Sequence, residues 1–301
     1  MTDTTLGIAR ATTAKAAAVT QRLLTPEAVE DPTRSRQTVL SRWRKRWVRL
    51  PSALRRLSGP VLLLVAWFSL TASRTVSEQE LSSPKTVWNA TEQLLRSGEL
   101  QHSIAVSLVR VFWGLLIGVA IGLTLALVAG FFQIGEDAVD SSMNVLRMVP
   151  VVTLLPLIVL WAGIGEPAKV LLIVLGTIFP VYMNTFAAIR GVDQKLIEAG
   201  RAFGLGRIGL IRQVVIPGSI HGFLVGLRWA IGSAWLLLYF AEQLNTHAGI
   251  GYLIVQAQQW NRTDIIMMGI IVYGILGFLS DGLVRVLERV LLRWRRGFEG
   301  T

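Results

Sequence analysis

The sequence predicts an all-α membrane protein with six transmembrane helices, and three observations support this fold class. Of the 301 residues, 52% are hydrophobic and only 16% are charged, with a mean hydropathy of +0.53. A soluble domain of this size is rarely so apolar. Six apolar runs approach or exceed the about 20 residues that a spanning helix needs. The cations lie in blocks that flank these runs, as in membrane proteins.

The six predicted spans cover most of the chain beyond residue 57. They are Pro60 to Ser73, His102 to Gly130, Ala138 to Gly163, Ala168 to Arg190, Ile220 to Leu244 and Asp264 to Leu287. The first run is short, although Leu54 and Leu57 could extend it towards the N-terminus. We therefore divide the chain into a basic N-terminal tail, 1-57, and a membrane domain, 58-301.

The N-terminal tail is predicted to be largely disordered, because its Ala/Thr-rich start lacks helical patterning. The first apolar run begins near Gly59, too far along the chain for a cleavable signal peptide. The stretch Trp43 to Trp47 alternates aromatic and cationic residues, which suits an anchor among lipid headgroups. Stacking on nucleic acid is the alternative for these residues. Since the formal charge of +11 is concentrated beside apolar runs, we assign it to orientation at an anionic lipid surface.

The distribution of cations predicts the orientation. Cations accumulate before the first run, between the fourth and fifth, and after the sixth, whereas on the other side they are sparse and lie beside acids. The sparse set is Arg74, Lys85, Arg96, Lys169 and Arg262. The positive-inside rule then places both termini in the cytoplasm. The loop Phe132 to Asp137 carries no Lys or Arg and is assigned to the same side by the even number of spans.

A short helix is predicted between the first two spans. Ser83 is a suitable N-cap and Pro84 a suitable first helical residue. Apolar residues then follow at helical spacing, and the helix is expected to end near Gly98. Such a helix would lie along the outer leaflet of the membrane.

Small residues recur at every fourth position in two spans. The second span carries Gly114, Gly118, Gly122, Ala126 and Gly130, and the fifth begins with Gly218, Gly222 and Gly226. A helix face without side chains allows a neighbouring helix to approach closely. These stripes predict tight helix packing.

A hydrophilic segment, which we place at 190-219, separates the fourth and fifth runs. It contains Glu198-Ala199-Gly200-Arg201-Ala202-Phe203-Gly204, followed after nine residues by Val214-Val215-Ile216-Pro217. Gly204 is expected to supply an unusual backbone angle between two short helices, and Pro217 to open the next helix. The segment is either a surface gripped by a cytoplasmic partner or a plain amphipathic loop.

Charged residues inside spans are candidates for the transport pathway. Arg147 lies in the third span, where Pro150 and Pro156 are predicted to interrupt the backbone hydrogen-bond ladder twice. Arg147 either holds an anion in the pathway, or extends to the membrane surface and pairs with Asp140 or Glu136.

In the fifth span, Arg228, Trp235 and Glu242 recur at seven-residue steps, which places them along one drifting helix face. We expect this face to point inward, with Glu242 near the outer end. Arg228 either contacts the solute or bonds to backbone carbonyls of a neighbouring span. Trp235 and Glu242 complete the candidate pathway set.

Several kinds of chemistry are not supported by the sequence. There is no cysteine, so thiolate sites and disulfides are excluded. His102, His221 and His247 have no second ligand at metal spacing. The stretch 163-169 contains glycines and a lysine but lacks the Gly-Lys-Ser/Thr ending of a phosphate loop. We therefore predict no metal site, no catalytic residues and no nucleotide site in this chain.

The segment 190-219 resembles the EAA loop of ABC-importer permeases, E-A-A-x-x-x-G followed after nine residues by I-x-L-P. Gly200 replaces the second Ala, and Val214 and Ile216 replace Ile and Leu. Together with the order of motifs from Ser83 to Gly249-Ile250-Gly251-Tyr252, this is similar to permeases of the nitrate/sulfonate/taurine/bicarbonate group, most of all the aliphatic-sulfonate branch. The likeness covers roughly three quarters of the chain and leaves out the part before Ser58.

The resemblance implies a type I ABC-importer permease fold in the cell inner membrane, working as a homodimer. It implies two partners besides the second copy: an ATPase subunit that binds ATP-Mg, and an extracytoplasmic substrate-binding protein. In this family the residues matching Glu198, Ala199, Gly200, Gly204 and Pro217 couple the permease to its ATPase. The implied function is inward transport of a small anionic solute, such as an aliphatic sulfonate.

Other functions remain open at this stage. Taurine, nitrate, bicarbonate or a small heterocycle could replace the sulfonate. A secondary transporter or channel would be expected to show internal repeats or carboxylates buried for ion coupling, whereas Glu242 and Asp264 are predicted near span ends. A membrane enzyme would need a nucleophile with its base, and the sequence suggests none.

Overall fold

A computed structural model describes residues 52–73, 76–244 and 246–292, with the side chains of 52–57 and of Ile134 outside the description. The predicted tail up to residue 51, including the Trp43 to Trp47 cluster, lies outside the described residues. The chain divides into two units between Ala66 and Trp67. Apart from helix α1, everything below concerns the second unit. All regular secondary structure in the described residues is helical, which confirms the all-α prediction.

Ten helices of more than one turn follow one another in the described residues, apart from the three-residue piece Gln133–Gly135. They are α1 (Ser52–Ala72), α2 (Pro84–Arg96), α3 (Glu99–Phe131), α4 (Glu136–Leu146), α5 (Val151–Ala162), α6 (Glu166–Arg190), α7 (Gln194–Ala202), α8 (Arg207–Glu242), α9 (Ile250–Gln259) and α10 (Thr263–Leu291). Four of them, α3, α6, α8 and α10, are long and apolar enough to cross a membrane. These four correspond to the second, fourth, fifth and sixth predicted spans.

The other two predicted spans have less regular counterparts. Helix α1 begins at Ser52, so the chain is helical through Leu54 and Leu57 as suggested, but its apolar part, Ser58–Ala72, is shorter than a full span. In place of the third span, α4 and α5 are bent by 86°. The count of six spans therefore stays a prediction. The described helices provide four spans, or five if the bent pair of α4 and α5 forms one span.

The bend between α4 and α5 corrects the prediction of two interruptions. Pro150 lies at the break, in extended backbone before the 3-10 turn Val151–Leu154 that opens α5. Pro156 instead lies in the first turn of the α-helical part of α5. A missing amide donor costs no hydrogen bond in a first turn. The chain is thus interrupted once at this point.

Helix α6 lies between α3 and α8, and the small-residue stripes of both neighbours face it. A Cβ added at Gly118 of α3 would lie 1.8 Å from Thr177 Oγ1, and one at Gly226 of α8 would lie 2.8 Å from the Pro180 carbonyl oxygen. Only glycine allows such close backbone contact. The predicted tight packing is therefore confirmed, and the core of the bundle lies along α6.

One end of the bundle, which we call the loop end, carries the segment 190-219. Arg190 at the end of α6 pairs with Glu136 at 3.0 Å, and the Arg207 Nη2 atom donates to the Phe131 carbonyl oxygen at 3.3 Å. The turn after α3 and the turn after α6 are therefore at the same end of the bundle. The even number of predicted spans placed the Phe132 to Asp137 loop on the same side of the membrane as the segment 190-219, and the structure agrees with that.

The opposite end carries α2 and α9. Ser83 caps α2 by accepting from the Thr86 amide, and the chain turns after α2 at Gly98, with φ of 80°, as predicted. Three residues of α2 are buried: Val87, Ala90 and Leu94. Val87 and Leu94 pack in one cluster with Leu253 of α9 and Met268 of α10. The sequence predicted only that α2 lies along the outer leaflet of the membrane. The structure adds that α2 packs against other helices of the bundle. Arg262, just before α10, makes two hydrogen bonds to Asp264 that raise the pKa of Arg262.

Candidate functional site

The segment 190-219 forms a helix, a tight turn and the start of a second helix. Asp193 caps α7 by accepting from the Lys195 amide at 2.9 Å. The chain then turns at Gly204, whose φ of 83° is left-handed and strained for residues with a side chain. The expectation that Gly204 supplies the angle between two short helical pieces is confirmed.

Gly200 is buried against the start of α8. A Cβ at this position would lie 2.7 Å from Leu210 Cδ2 and 3.4 Å from Leu205 Cδ1. This contact gives a local reason for glycine where the EAA pattern has alanine. Glu198 and Ala199, by contrast, are exposed on α7.

Pro217 does not open a new helix after a loop. The chain is already helical from Arg207, and a π-helical turn, Ile211–Val215, precedes the α-helical part that begins at Ile216. Proline removes one amide donor and clashes with the carbonyl of the preceding turn. A π-turn beside it accommodates the change in hydrogen bonding, so α8 runs continuously through Pro217.

The surface of the segment 190-219 combines apolar and charged side chains. Leu196, Phe203 and Ile208 are 57%, 87% and 81% exposed. Glu198 and Arg201 are exposed beside them. Large apolar side chains next to charges, on a polar segment at the end of the bundle, are typical of a protein interface.

Arg147 is exposed at the end of α4 and has no ion pair among the described residues. The suggested pairing with Asp140 or Glu136 is therefore wrong. Asp140 instead accepts from the Tyr182 hydroxyl at 3.0 Å, and Glu136 pairs with Arg190.

Arg228, Trp235 and Glu242 all contact α10, which agrees with the prediction that they share one helix face. Arg228 pairs with Asp281 at 3.0 Å and with Glu288 at 2.9 Å. The sequence left two alternatives for Arg228, contact with the solute or bonds to backbone carbonyls of a neighbouring span. Its partners on α10 are side-chain carboxylates instead. The Arg228 side chain is 41% exposed and its charge is compensated.

Trp235 is buried and lines a cavity. Its Nε1 atom donates to Ser280 Oγ at 3.2 Å, and its ring packs edge-on against Tyr273. The cavity, about 560 Å³, lies between α8, α9 and α10 and is largely apolar. Tyr239 and Gln258 also contribute to its walls.

Glu242 lies at the end of α8, as predicted, but its side chain is fully buried. It accepts four hydrogen bonds, from Ser107 Oγ (2.6 Å), Arg110 Nη1 (2.7 Å), the Gly251 amide (2.7 Å) and the Tyr273 hydroxyl (3.2 Å). A buried carboxylate was expected only of an ion-coupled transporter. Here the Arg110 guanidinium neutralises it, so its burial has a structural explanation.

Arg110 was missed in the sequence, although it is a charge inside a predicted span. Its Nε and Nη2 atoms donate to the two Glu166 oxygens at 2.7 and 2.6 Å, and Nη1 donates to Glu242 and to the Ala248 carbonyl oxygen. Lys169 Nζ joins at 2.9 Å from Glu166. The stretch 163-169, rejected as a phosphate loop, thus supplies two members of this network.

The glycines of Gly249-Ile250-Gly251 allow the backbone to pass close to the network. A Cβ at Gly249 would lie 2.5 Å from Glu242 Cδ, and one at Gly251 would lie 2.7 Å from Glu242 Cβ. Gly249 also has a φ of 130°.

In the described parts of the chain, no three His, Asp or Glu side chains come together where they could hold a metal ion.

Comparison with known proteins identifies the family. Residues 118–293 match the family described as binding-protein-dependent transport system inner membrane component. A Bacillus subtilis (strain 168) protein named as an aliphatic sulfonates transport permease, SsuC, is 39% identical over 241 residues, covering 80% of this chain and 87% of its own length. Its namesake in Escherichia coli (strain K12) is 40% identical over 239 residues, covering 79% and 91%.

A solved structure shares the fold. It is a crystal structure of an amino acid ABC transporter with histidines, with a TM-score of 0.54 and 20% identity, and the match covers 66% of this chain and 97% of that one. The agreement in fold, together with the sequence relatives, supports the type I arrangement of helices. This chain therefore belongs to the family of binding-protein-dependent transport system inner membrane components, as an ABC-importer permease of the multi-pass inner-membrane type.

Proposed function

We propose that the chain carries a small anionic solute into the cell, an aliphatic sulfonate in the first instance, driven by ATP hydrolysis on a separate subunit. The observation that carries this proposal is the surface of the segment 190-219, where exposed apolar side chains lie beside charges on a helix–turn–helix. A separate ATPase subunit that binds ATP-Mg docks on this surface. The names of the Bacillus and Escherichia relatives support the sulfonate.

The coupling residues are Glu198, Ala199, Gly200, Gly204 and Pro217. Gly200 packs on Leu210, and Gly204 sets the turn, so α7 and the start of α8 can move together. Arg190 and Arg207 tie the segment to Glu136 and Phe131 at the ends of neighbouring helices. ATP binding closes the two ATPase subunits, and the segment transmits that movement to the spans. The result is alternating access of the solute cavity to the two sides of the membrane.

The complete transporter contains two copies of this chain, two ATPase subunits and an extracytoplasmic substrate-binding protein, in contact with membrane lipid. The cation blocks orient the chain with both termini and the segment 190-219 in the cytoplasm. The opposite end, with α2 and α9, then faces the binding protein.

The solute pathway includes Arg147, Arg228, Trp235 and Glu242 in different roles. Arg147 is free of ion pairs in the described part of the molecule, so its charge is available to an anion. Arg228 and Glu242 are neutralised by acidic and basic partners and hold α8 in position. Trp235 lines the cavity of about 560 Å³, which is large enough for a small organic solute.

Reconstitution in proteoliposomes tests the proposal. The chain is inserted together with its ATPase, and the binding protein and labelled ethanesulfonate are supplied on the outer side. Accumulation is expected only when all components and ATP are present. Accumulation by the chain alone, driven by an ion gradient, would reject the proposal in favour of a secondary transporter. Competition by taurine, nitrate or bicarbonate in the same assay identifies the preferred solute.

A further inference from the structure

A carboxylate and two cations at the opposite end of the bundle form a cluster that the proposed function does not use. The Glu166 carboxylate accepts from Arg110 Nε and Nη2 at 2.7 and 2.6 Å and from Lys169 Nζ at 2.9 Å. The Arg110 and Lys169 side chains are 4% and 7% exposed, whereas Glu166 is 59% exposed. An exposed carboxylate therefore covers two buried cations.

The formal charges of the cluster balance. Arg110 and Lys169 carry two positive charges, and Glu166 and Glu242 carry two negative charges. Glu242 is fully buried and accepts from four donors on the three helices α3, α9 and α10. Glu166, in contrast, is held among the described residues only by the two cations. Movement of Glu242 would break four hydrogen bonds of a buried carboxylate. Glu166 is already exposed, so it is the carboxylate that can move away from the cluster.

If Glu166 moves away, Arg110 and Lys169, whose side chains are 4% and 7% exposed, are left with one uncompensated positive charge. Such a charge is costly unless another anion takes the place of the carboxylate. The Arg110 Nε and Nη2 atoms already donate to the two Glu166 oxygens, and Lys169 Nζ donates to one of them. An incoming anion therefore reaches these donors by taking the place of the Glu166 carboxylate.

We propose that Glu166 is an internal counter-ion, which the anionic head group of the transported solute displaces from Arg110 and Lys169 as it enters the permease. The proposal rests on the proposed import of an anionic solute. A sulfonate fits this site because it has one negative charge and offers oxygen atoms to the guanidinium fork, as a carboxylate does. A solute leaving the site is replaced by Glu166, so the site does not retain it.

Equilibrium binding to the purified permease, without ATPase or binding protein, tests this proposal independently of coupled transport. Labelled butanesulfonate is the probe, and the Glu166→Gln variant is compared with the unaltered chain. Because the variant lacks the competing carboxylate, its dissociation constant for butanesulfonate should fall at least tenfold. Adding Lys169→Gln to Glu166→Gln should remove the gain. Arg110 is left unaltered, since its loss would leave Glu242 buried without a counter-charge.

Matched controls are available on α2, where Glu92 and Lys85 are exposed. Glu92→Gln changes the net charge by the same amount as Glu166→Gln, and Lys85→Gln by the same amount as Lys169→Gln. Both control variants should leave butanesulfonate binding unaltered. Unchanged affinity in a folded Glu166→Gln variant, shown by an unaltered elution volume, would overturn the proposal. A gain in affinity for phosphatidylglycerol in mixed micelles, without a gain for butanesulfonate, would also overturn it, because the anion would then be a lipid headgroup. Failure of ATP-driven uptake with normal binding results would instead count against the proposed function.

Discussion

Arg110 of α3 and Glu242 of α8 form a buried ion pair, with 2.7 Å between Nη1 and Oε1, in which the two side chains are 4% and 0% exposed. The pair joins residues 132 positions apart in the sequence. It holds the end of α8 to α3 and fixes the backbone of the first turn of α9, because the Gly251 amide donates to the same carboxylate.

Removing one partner of this pair should be strongly destabilising. We expect Arg110→Met or Glu242→Met to cost about 3–5 kcal/mol, because each leaves an uncompensated buried charge. The double variant should lose much less than the sum of the two. Unfolding of the purified protein in mixed micelles measures the three values. Strictly additive losses would show that the two residues act independently.

A side chain at Gly118 should disturb the packing of α3 on α6. Gly118→Ala would place a methyl group 1.8 Å from Thr177 Oγ1 and 2.9 Å from the Val174 carbonyl oxygen, and overpacking of this kind costs about 1–3 kcal/mol. Gly277→Ala on α10 is the control, because a Cβ there meets nothing within 4 Å. The midpoint of thermal unfolding should fall only for Gly118→Ala. Equal midpoints would refute the assigned contact.

Changes in the segment 190-219 should uncouple ATP hydrolysis from transport. Gly204→Val forces a β-branched residue into a φ of 83°, and Glu198→Lys reverses an exposed charge on α7. Both variants should insert normally but lose the stimulation of ATPase activity by loaded binding protein. Gly206→Ala, in open space and with an ordinary φ of −70°, is the control and should behave as the unaltered chain. Normal stimulation in Gly204→Val and Glu198→Lys would argue against docking at this surface.

The two pathway arginines should differ in their effect on uptake. Arg228 already faces Asp281 and Glu288, so Arg228→Gln should change the rate of uptake of an anionic solute little. Arg147 has no ion pair within the described residues, and Arg147→Gln should slow that uptake. Initial rates in proteoliposomes measure both effects. Unaltered uptake in the double variant would remove both residues from the pathway.

Features governed by local rules could be predicted from the sequence. Ser83 as a helix cap, the turn at Gly204 and the glycine stripe around Gly118 each depend on residues close in sequence or on one helix face. Four long spans followed from apolar length alone. These features are confirmed because neighbouring residues are enough to specify them.

Features that depend on distant partners were not predicted. Arg110 lies among apolar residues, and its partner Glu166 lies beyond the end of the third apolar run, so only the packing of α3 on α6 reveals the pair. The partners of Arg228 on α10 were missed for the same reason. An interruption at Pro150 was expected, but the 86° angle between α4 and α5 does not follow from composition. The helical path of α8 through Pro217 does not follow from composition either.

Cross-linking at Phe203 tests whether the segment 190-219 docks on the ATPase subunit. Because the chain has no cysteine, Phe203→Cys gives a single reactive thiol at an 87% exposed position. In membranes containing the complete transporter, a short bifunctional thiol reagent should join this position to the ATPase subunit. The exposed Trp88→Cys on α2 should give no such product. Labelling of Phe203→Cys in intact cells by a membrane-impermeant reagent, or an ATPase cross-link from Trp88→Cys alone, would show that the segment 190-219 is not the docking surface.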